Sequence, residues 1–152
     1  MTGTTTFVPR STIRRLNTPF GFFEVSGDQV VTFPSGLPGF EECRRFVVVS
    51  ADDIAPMQCL HAVEGPATSF LVIDPRQVLS HYRAVLTQTD LMRLSAGEHT
   101  PLLWLAIVSL DAEGQAFVNL RAPIVINPER MLGYQVMPHN SLYPLRHPLA
   151  TE

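Results

Sequence analysis

The stretch Leu102-Leu103-Trp104-Leu105-Ala106-Ile107-Val108-Ser109-Leu110 decides the fold class of this chain. Apart from its one serine it is apolar, and its β-branched and aromatic residues favour a strand buried within a sheet. The turn sequence Asp111-Ala112-Glu113-Gly114 follows it and ends the strand. This stretch therefore predicts a long, central β-strand.

Shorter segments of the same kind recur along the chain at fairly regular spacing. The sequence Ser26-Gly27-Asp28 is typical of a turn, so residues 20–25 and 29–33 are predicted to pair as a hairpin. Further strands are predicted at residues 45–49, 57–63, 69–73, 116–120, 122–127 and 133–137. We expect an all-β fold, a small closed or flattened β-barrel of about eight to ten short strands.

One short helix is predicted, near residues 88–96. A capping hydroxyl is available at Thr87 or Thr89, and Asp90 places an acid in the first turn. Gly97 supplies a glycine after the end.

The N-terminal residues differ in composition from the rest of the chain. Residues 1–18 are rich in Thr and Arg, with only scattered apolar side chains. We expect residues 1–18 to form a poorly ordered N-terminal extension and residues 19–152 to form a single β-barrel domain.

Charge and hydropathy narrow the function classes. Residues 20–152 hold eight arginines against fourteen acidic residues, a net charge of −6. A body of this sign repels nucleic-acid phosphate, so we expect no direct nucleic-acid partner. No apolar run approaches the roughly 18 residues that a membrane span needs, and no segment of signal-peptide type is present, so we expect a cytoplasmic protein with no membrane partner. The two cysteines are expected to be buried thiols rather than a disulfide.

Motifs for catalysis, cofactors or metals are not found in the sequence. The nearest approach to a metal site is Cys59-x-His61, where two side chains would share one face of a strand. A structural zinc site needs four ligands, so a buried thiol beside a partly exposed imidazole is the favoured interpretation. We therefore predict a non-enzymatic protein with no metal and no cofactor.

Two stretches place apolar residues where regular structure is interrupted. Phe33-Pro34-Ser35-Gly36-Leu37-Pro38-Gly39-Phe40 has too many breakers to form a helix or a central strand. At least one of Phe33, Leu37 and Phe40 is therefore a candidate for an exposed contact, and the alternative is that they plug one end of the barrel. In the segment 119–127, Pro123 favours an edge strand or bulge that could accept a partner strand.

These stretches resemble the family of the flagellar assembly factor FliW. The resemblance is carried by Phe20-Gly21 to Val25, by residues 33–42 as FPxGLPGFEE, and by residues 119–127 as NLxAPIVIN. Residues 70–75, 133–136 and 143–149 also match the family, so that about residues 20–149 are covered.

The resemblance implies a small barrel that binds flagellin and the carbon storage regulator CsrA. In the family, CsrA represses translation of flagellin message, and the assembly factor relieves this repression by binding CsrA away from its RNA-contacting surface. The partner-binding residues expected from the two motifs are Phe33, Pro34, Gly36, Leu37, Pro38, Gly39, Phe40, Asn119, Leu120, Pro123 and Asn127. The alternatives are a small barrel enzyme or cofactor-binding domain for a flavin or nucleotide, and a barrel that binds single-stranded RNA.

Overall fold

A computed structural model describes residues 13–138 and 141–149 of the chain. Within these ranges the elements are eleven strands and one α-helix, joined by short 3-10 turns. The strands are β1 Ile13–Thr18, β2 Gly21–Ser26, β3 Val31–Thr32, β4 Arg45–Ser50, β5 Gln58–Ala62, β6 Ser69–Ile73, β7 Leu103–Leu110, β8 Ala116–Val118, β9 Ile124–Asn127, β10 Leu132–Gln135 and β11 His147–Pro148, and the helix is α1 Gln88–Arg93.

Seven of these strands close into a barrel. The ring runs β3-β4-β5-β6-β7-β9-β10 and returns to β3. The long strand β7 makes this possible because residues 103–105 pair with β9 while residues 106–108 pair with β6. Two of the other four strands, β8 and β11, extend the sheet from β7, and β1 and β2 form a separate hairpin. The prediction of a small closed all-β barrel with one short helix is therefore confirmed.

The ring closes at a narrow seam between β3 and β10. This pair is parallel and has a single register pair, Thr32 with Leu132. The amide of Thr32 donates to the carbonyl of Met131 at 2.9 Å. Every other neighbouring pair in the ring has at least two register pairs.

Side-chain alternation explains why β4 is a continuous apolar run. Phe46 points into the barrel, where it packs with Leu60 and Val72, whereas Val47 and Val49 point outward. The outward side chains are covered by the β1–β2 hairpin, whose Leu16 and Val25 pack on them. A strand buried on both faces needs apolar residues at every position, and this is the pattern of residues 46–49.

Two further coverings complete the outer layer. Tyr82 and Tyr143 pack together over Ala106 and Val118, and the hydroxyl of Tyr82 donates to the carbonyl of Leu120 at 2.9 Å. Burial, and then the neighbouring Tyr143, raise the pKa of Tyr82 to about 12, so its hydroxyl remains a hydrogen-bond donor at neutral pH.

The helix α1 forms the other covering and begins as predicted. The Thr87 hydroxyl accepts from the Asp90 amide, and the Asp90 carboxylate accepts from the Thr87 amide. Leu94, directly after the helix, packs on Val125 of β9. The helix ends at Arg93, earlier than the predicted end near residue 96.

Two strand predictions are wrong. The hairpin joins β1 to β2, not residues 20–25 to residues 29–33, because Val31 and Thr32 pair with β4. Residues 13–18, which the sequence analysis assigns to the N-terminal extension, pair along their whole length with β2. Residues 1–12 lie outside the described residues, so the domain division at residue 18 stays a prediction. The segment around Pro123 is not an edge, because β9 pairs with β10 on one side and β7 on the other.

Candidate functional site

A tight turn over residues 33–43 leaves β3 and returns to β4. Its backbone bonds run from the amide of Gly36 to the carbonyl of Phe33 at 2.8 Å, and from the amide of Phe40 to the carbonyl of Leu37 at 2.7 Å. Gly36 has φ +67°, and a Cβ there would lie 2.7 Å from the Cα of Glu41. Only glycine fits this position, which explains part of the breaker-rich pattern.

The apolar residues of this turn divide into two groups. Phe33 and Leu37 are buried in the barrel interior, and the ring of Phe33 meets Phe46 edge-on at 5.3 Å between centroids. The plug interpretation therefore holds for Phe33 and Leu37, and their predicted contact with a partner stays a prediction. Phe40 is different: its side chain is 44% exposed and rests edge-on against Phe70 at 5.1 Å.

The exposed rim of the turn combines apolar and acidic side chains. Pro34, Pro38 and Gly39 are exposed beside Phe40, and Gly36 is buried. The carboxylate of Glu41 accepts a hydrogen bond from the Gly39 amide at 3.0 Å, which lowers the pKa of Glu41. This glutamate is therefore anionic at neutral pH, and with exposed Glu42 it gives the rim a negative edge.

The second motif is structural over most of its length. Leu120 and Pro123 are buried, and the side-chain oxygen of Asn119 accepts from the amides of Arg121 and Ala122 at 3.1 Å. Asn127 is buried, and its side-chain amide Nδ2 donates a hydrogen bond to the backbone carbonyl of Leu94 at 2.7 Å. Leu120, Pro123 and Asn127 therefore have structural roles in the core and at the end of α1, and their predicted contact with a partner stays a prediction.

A groove on the outer surface lies between α1 and the C-terminal segment. It encloses about 940 Å³ and has mainly apolar walls. Val85, Met137 and Leu142 expose their side chains there, and Leu142 is 98% exposed. The lining residues are Arg83, Ala84, Val85, Thr87, Thr89, Asp90, Arg93, Tyr134, Met137, Pro138, Ser141, Leu142 and Tyr143.

Two tyrosines contact the arginines of this groove, one through a side chain and one through the backbone. The guanidinium of Arg93 lies 4.7 Å from the ring centroid of Tyr134 and donates to its hydroxyl. The hydroxyl of Tyr143 accepts from the backbone amide of Arg83 at 2.9 Å. The Arg93 guanidinium and the backbone of Arg83 are thus held in position, although neither arginine belongs to a motif that the sequence analysis singled out.

The groove was missed because its residues come from three separated segments, 83–93, 134–138 and 141–143. The available signal was the high content of His, Pro and Tyr in residues 138–148. In residues 141–149 of this segment, Tyr143 packs on Tyr82 and β11 pairs with β8.

Cys59 and His61 lie on β5, and both are buried. Burial raises the pKa of the Cys59 thiol and lowers the pKa of His61, whose ring nitrogen hydrogen-bonds the hydroxyl of Ser69. Within residues 13–138 and 141–149, no group of three or more His, Cys, Asp and Glu side chains is placed to hold a metal ion. The helix of this same part of the chain is too short to cross a membrane.

These features define a class of protein: a small closed barrel with a packed interior and candidate contact regions on its outer surface. The model of the FliW protein family matches residues 15–149. The flagellar assembly factor FliW of Natranaerobius thermophilus is 35% identical over 132 residues, covering 86% of this chain and 87% of the relative. That of Carboxydothermus hydrogenoformans is 36% identical over 141 residues, covering 90% of each.

A solved structure agrees with the sequence comparison. A crystal structure of the flagellar assembly factor FliW superposes with a TM-score of 0.81 at 31% identity, over 91% of this chain and 98% of the other. The chain belongs to the FliW family.

Proposed function

We propose that this chain is a non-enzymatic, cytoplasmic regulator that binds flagellin and the translational regulator CsrA. The observation that carries the proposal is the exposed rim of the 33–43 turn, in which Phe40 stands against Phe70 beside two glutamates. The rim belongs to the most recognisable motif of the chain, and the relatives that share its family are flagellar assembly factors.

The chemistry of the rim suits a protein partner. A half-exposed aromatic ring with prolines around it buries apolar area at low entropic cost, as interface hot spots do. The anionic Glu41 and exposed Glu42 beside it attract basic side chains of a protein partner. The acidic balance of residues 20–152 acts in the same direction over longer range.

The proposed regulation of flagellin translation follows if flagellin and CsrA compete for binding to this chain. If flagellin and CsrA compete for this chain, a rise in free flagellin releases CsrA, which then represses flagellin translation. Export of flagellin reverses the exchange. In this proposal the chain contributes differential affinity and no covalent step.

Calorimetry with flagellin and CsrA from the same organism tests the proposal. Wild type is expected to bind both, and Phe40→Asp is expected to weaken at least one of them by about tenfold or more. Leu110→Asp is the matched control because Leu110 is also an exposed apolar residue, at the end of β7. Circular dichroism checks that both variants fold.

The proposal fails if folded wild type binds neither flagellin nor CsrA. Equal losses for Phe40→Asp and Leu110→Asp would leave the function standing but remove the rim as its site.

A further inference from the structure

The groove between α1 and residues 141–143 exposes apolar side chains that a protein usually buries. Val85 is 77% exposed and Leu142 98%, and Met137 also exposes most of its side chain. All three line the groove together with the rings of Tyr134 and Tyr143. Apolar residues gathered in one concave region mark a contact site more strongly than the same residues scattered singly.

The charge of the groove is opposite to that of the chain. Arg83 and Arg93 line it against a single carboxylate, Asp90, in a protein of net charge −3. The Asp90 carboxylate already accepts a hydrogen bond from the Thr87 backbone amide at 2.9 Å, as part of the helix cap. In the described ranges the ion pairs are Arg45–Glu64 and Arg76–Asp74, and neither involves an arginine of the groove. An occupant with acidic groups is therefore favoured at this place.

The walls of the groove indicate how the occupant binds. Tyr134 is the only lining residue that belongs to a strand, whereas Thr89, Asp90 and Arg93 belong to α1 and the rest to connecting segments. Strand addition needs a free strand edge, but an apolar groove of side chains accepts the apolar face of a helix.

We propose that this groove is a second docking site, which binds an amphipathic helix of a protein partner carrying acidic residues beside its apolar face. The apolar side chains of the helix, spaced at i, i+3, i+4 and i+7, contact Val85, Met137 and Leu142. Its acidic residues pair with Arg83 and Arg93. Tyr134 stabilises the second pair, because it already holds the Arg93 guanidinium in position.

Peptide selection on the full chain tests the chemistry without assuming a partner. A display library of random peptides of about 16 residues, roughly four helical turns, is selected against immobilised wild type. Enriched sequences are expected to combine helical apolar spacing with at least one acidic residue. The best peptide is then synthesised with a fluorescent label, and its affinity is measured by anisotropy.

Groove variants assign the site of that peptide. Leu142→Asp and the double variant Arg83→Glu/Arg93→Glu should each weaken binding by about tenfold or more. A peptide with its acids changed to arginine should regain about tenfold on the double variant, because the charges are exchanged. If Arg93→Glu disturbs α1, the single variant Arg83→Glu carries the charge test. Leu110→Asp is the matched control, because Leu110 is an exposed apolar residue outside the groove, and it should bind the peptide as wild type does.

Several results would overturn the docking site. These are no enrichment, enrichment of basic peptides, enriched sequences without helical spacing, or peptide binding that ignores both groove variants. Self-association of wild type that Leu142→Asp abolishes would assign the groove to a second copy. Binding of a single-stranded RNA oligonucleotide that the double arginine variant abolishes would assign the guanidiniums to phosphate.

The outcome is separable from that of the proposed function. Failure of flagellin and CsrA to bind wild type leaves the peptide result unaffected, and failure of the peptide selection leaves the rim around Phe40 unaffected.

Discussion

The two stretches that carry the family resemblance and the groove beside α1 are opposite in how they use their residues. In the stretches, Phe33, Leu37 and Leu120 are buried, and Asn127 ties β9 to the end of the helix. In the groove, Val85 and Leu142 are exposed and no motif marks them. The recognisable parts of this sequence are therefore mostly the parts that build the barrel, and Phe40 is an exception within them.

The difference has a physical cause. A buried turn restricts the residue types at successive positions, because Gly36 must adopt φ +67° and Leu37 must fill the interior directly after it. A surface groove is assembled from distant segments, and each of them tolerates several side chains. Closely spaced constraints leave a pattern in the sequence, whereas a groove of this kind does not.

The largest effect is expected from a charge at Leu37. Its side chain is 1% exposed, so Leu37→Asp buries a carboxylate without a partner and is expected to destabilise the barrel by more than about 4 kcal/mol. Phe40→Asp, in the same turn, should cost only about 1 kcal/mol because its ring is half-exposed. Urea unfolding followed by circular dichroism measures both, and similar losses would mean that the turn does not divide into plug and rim.

A methyl group at Gly133 is expected to have the next largest effect. A Cβ there would lie within 2.8 Å of three ring atoms of Phe33, so Gly133→Ala should cost about 1–3 kcal/mol through overpacking. The control is Gly97→Ala, where the nearest atom is Thr100 Oγ1 at 3.8 Å and the change should stay within about 0.5 kcal/mol. Thermal unfolding separates the two, and equal midpoints would show that the Phe33 ring can move aside.

The buried side chain of His61 lies outside the two stretches that carry the family resemblance, and its burial should make stability depend on pH. Burial lowers its folded pKa below the ordinary 6.5, so the unfolded chain binds more protons in mild acid. The stability that this histidine contributes is complete above about pH 6.5 and falls as the pH drops from there towards the folded pKa. His61→Gln should therefore flatten the loss of stability between about pH 7.5 and 5.5, measured by urea unfolding.

A wild-type pH slope in His61→Gln would contradict the assignment.

The smallest effect is expected in the groove. Leu142→Asp places a charge on a side chain that is almost wholly in solvent, so the free energy of unfolding should change by no more than about 0.5 kcal/mol. Differential scanning calorimetry checks this. A loss comparable to that of Gly133→Ala would mean that Leu142 supports the fold, and the contrast between motif and groove would disappear.

Prediction from sequence succeeded where one local signal was enough. The apolar run of β7 and the cap at Thr87 each specify their element without reference to distant residues. It failed where the partner is distant or the environment is tertiary. The strand β1 contains two arginines and is stabilised by Leu16 packing on the outside of the barrel, a contact that no local pattern reveals.

The same limit applies to the candidate site. The breaker pattern of residues 33–40 identified the turn but gave no means of separating Leu37 from Phe40, because both are apolar residues of a glycine-proline sequence. Pro123 suggested an edge, yet its position precedes the paired residues of β9, which begin at Ile124. Burial in the barrel separates Leu37 from Phe40, and the pairing of β9 with both β7 and β10 shows that the segment is not an edge.

The barrel closes at its weakest strand pair, the seam between β3 and β10. The two strands share one register pair, and the ring of Phe33 lies directly against Gly133 across the seam. Breathing of the molecule should begin along it, so amides near Thr32 should exchange with solvent before those of β4 and β5. Phe33 also begins the turn that exposes Phe40. A partner that binds this turn should therefore also stabilise the pairing of β3 with β10.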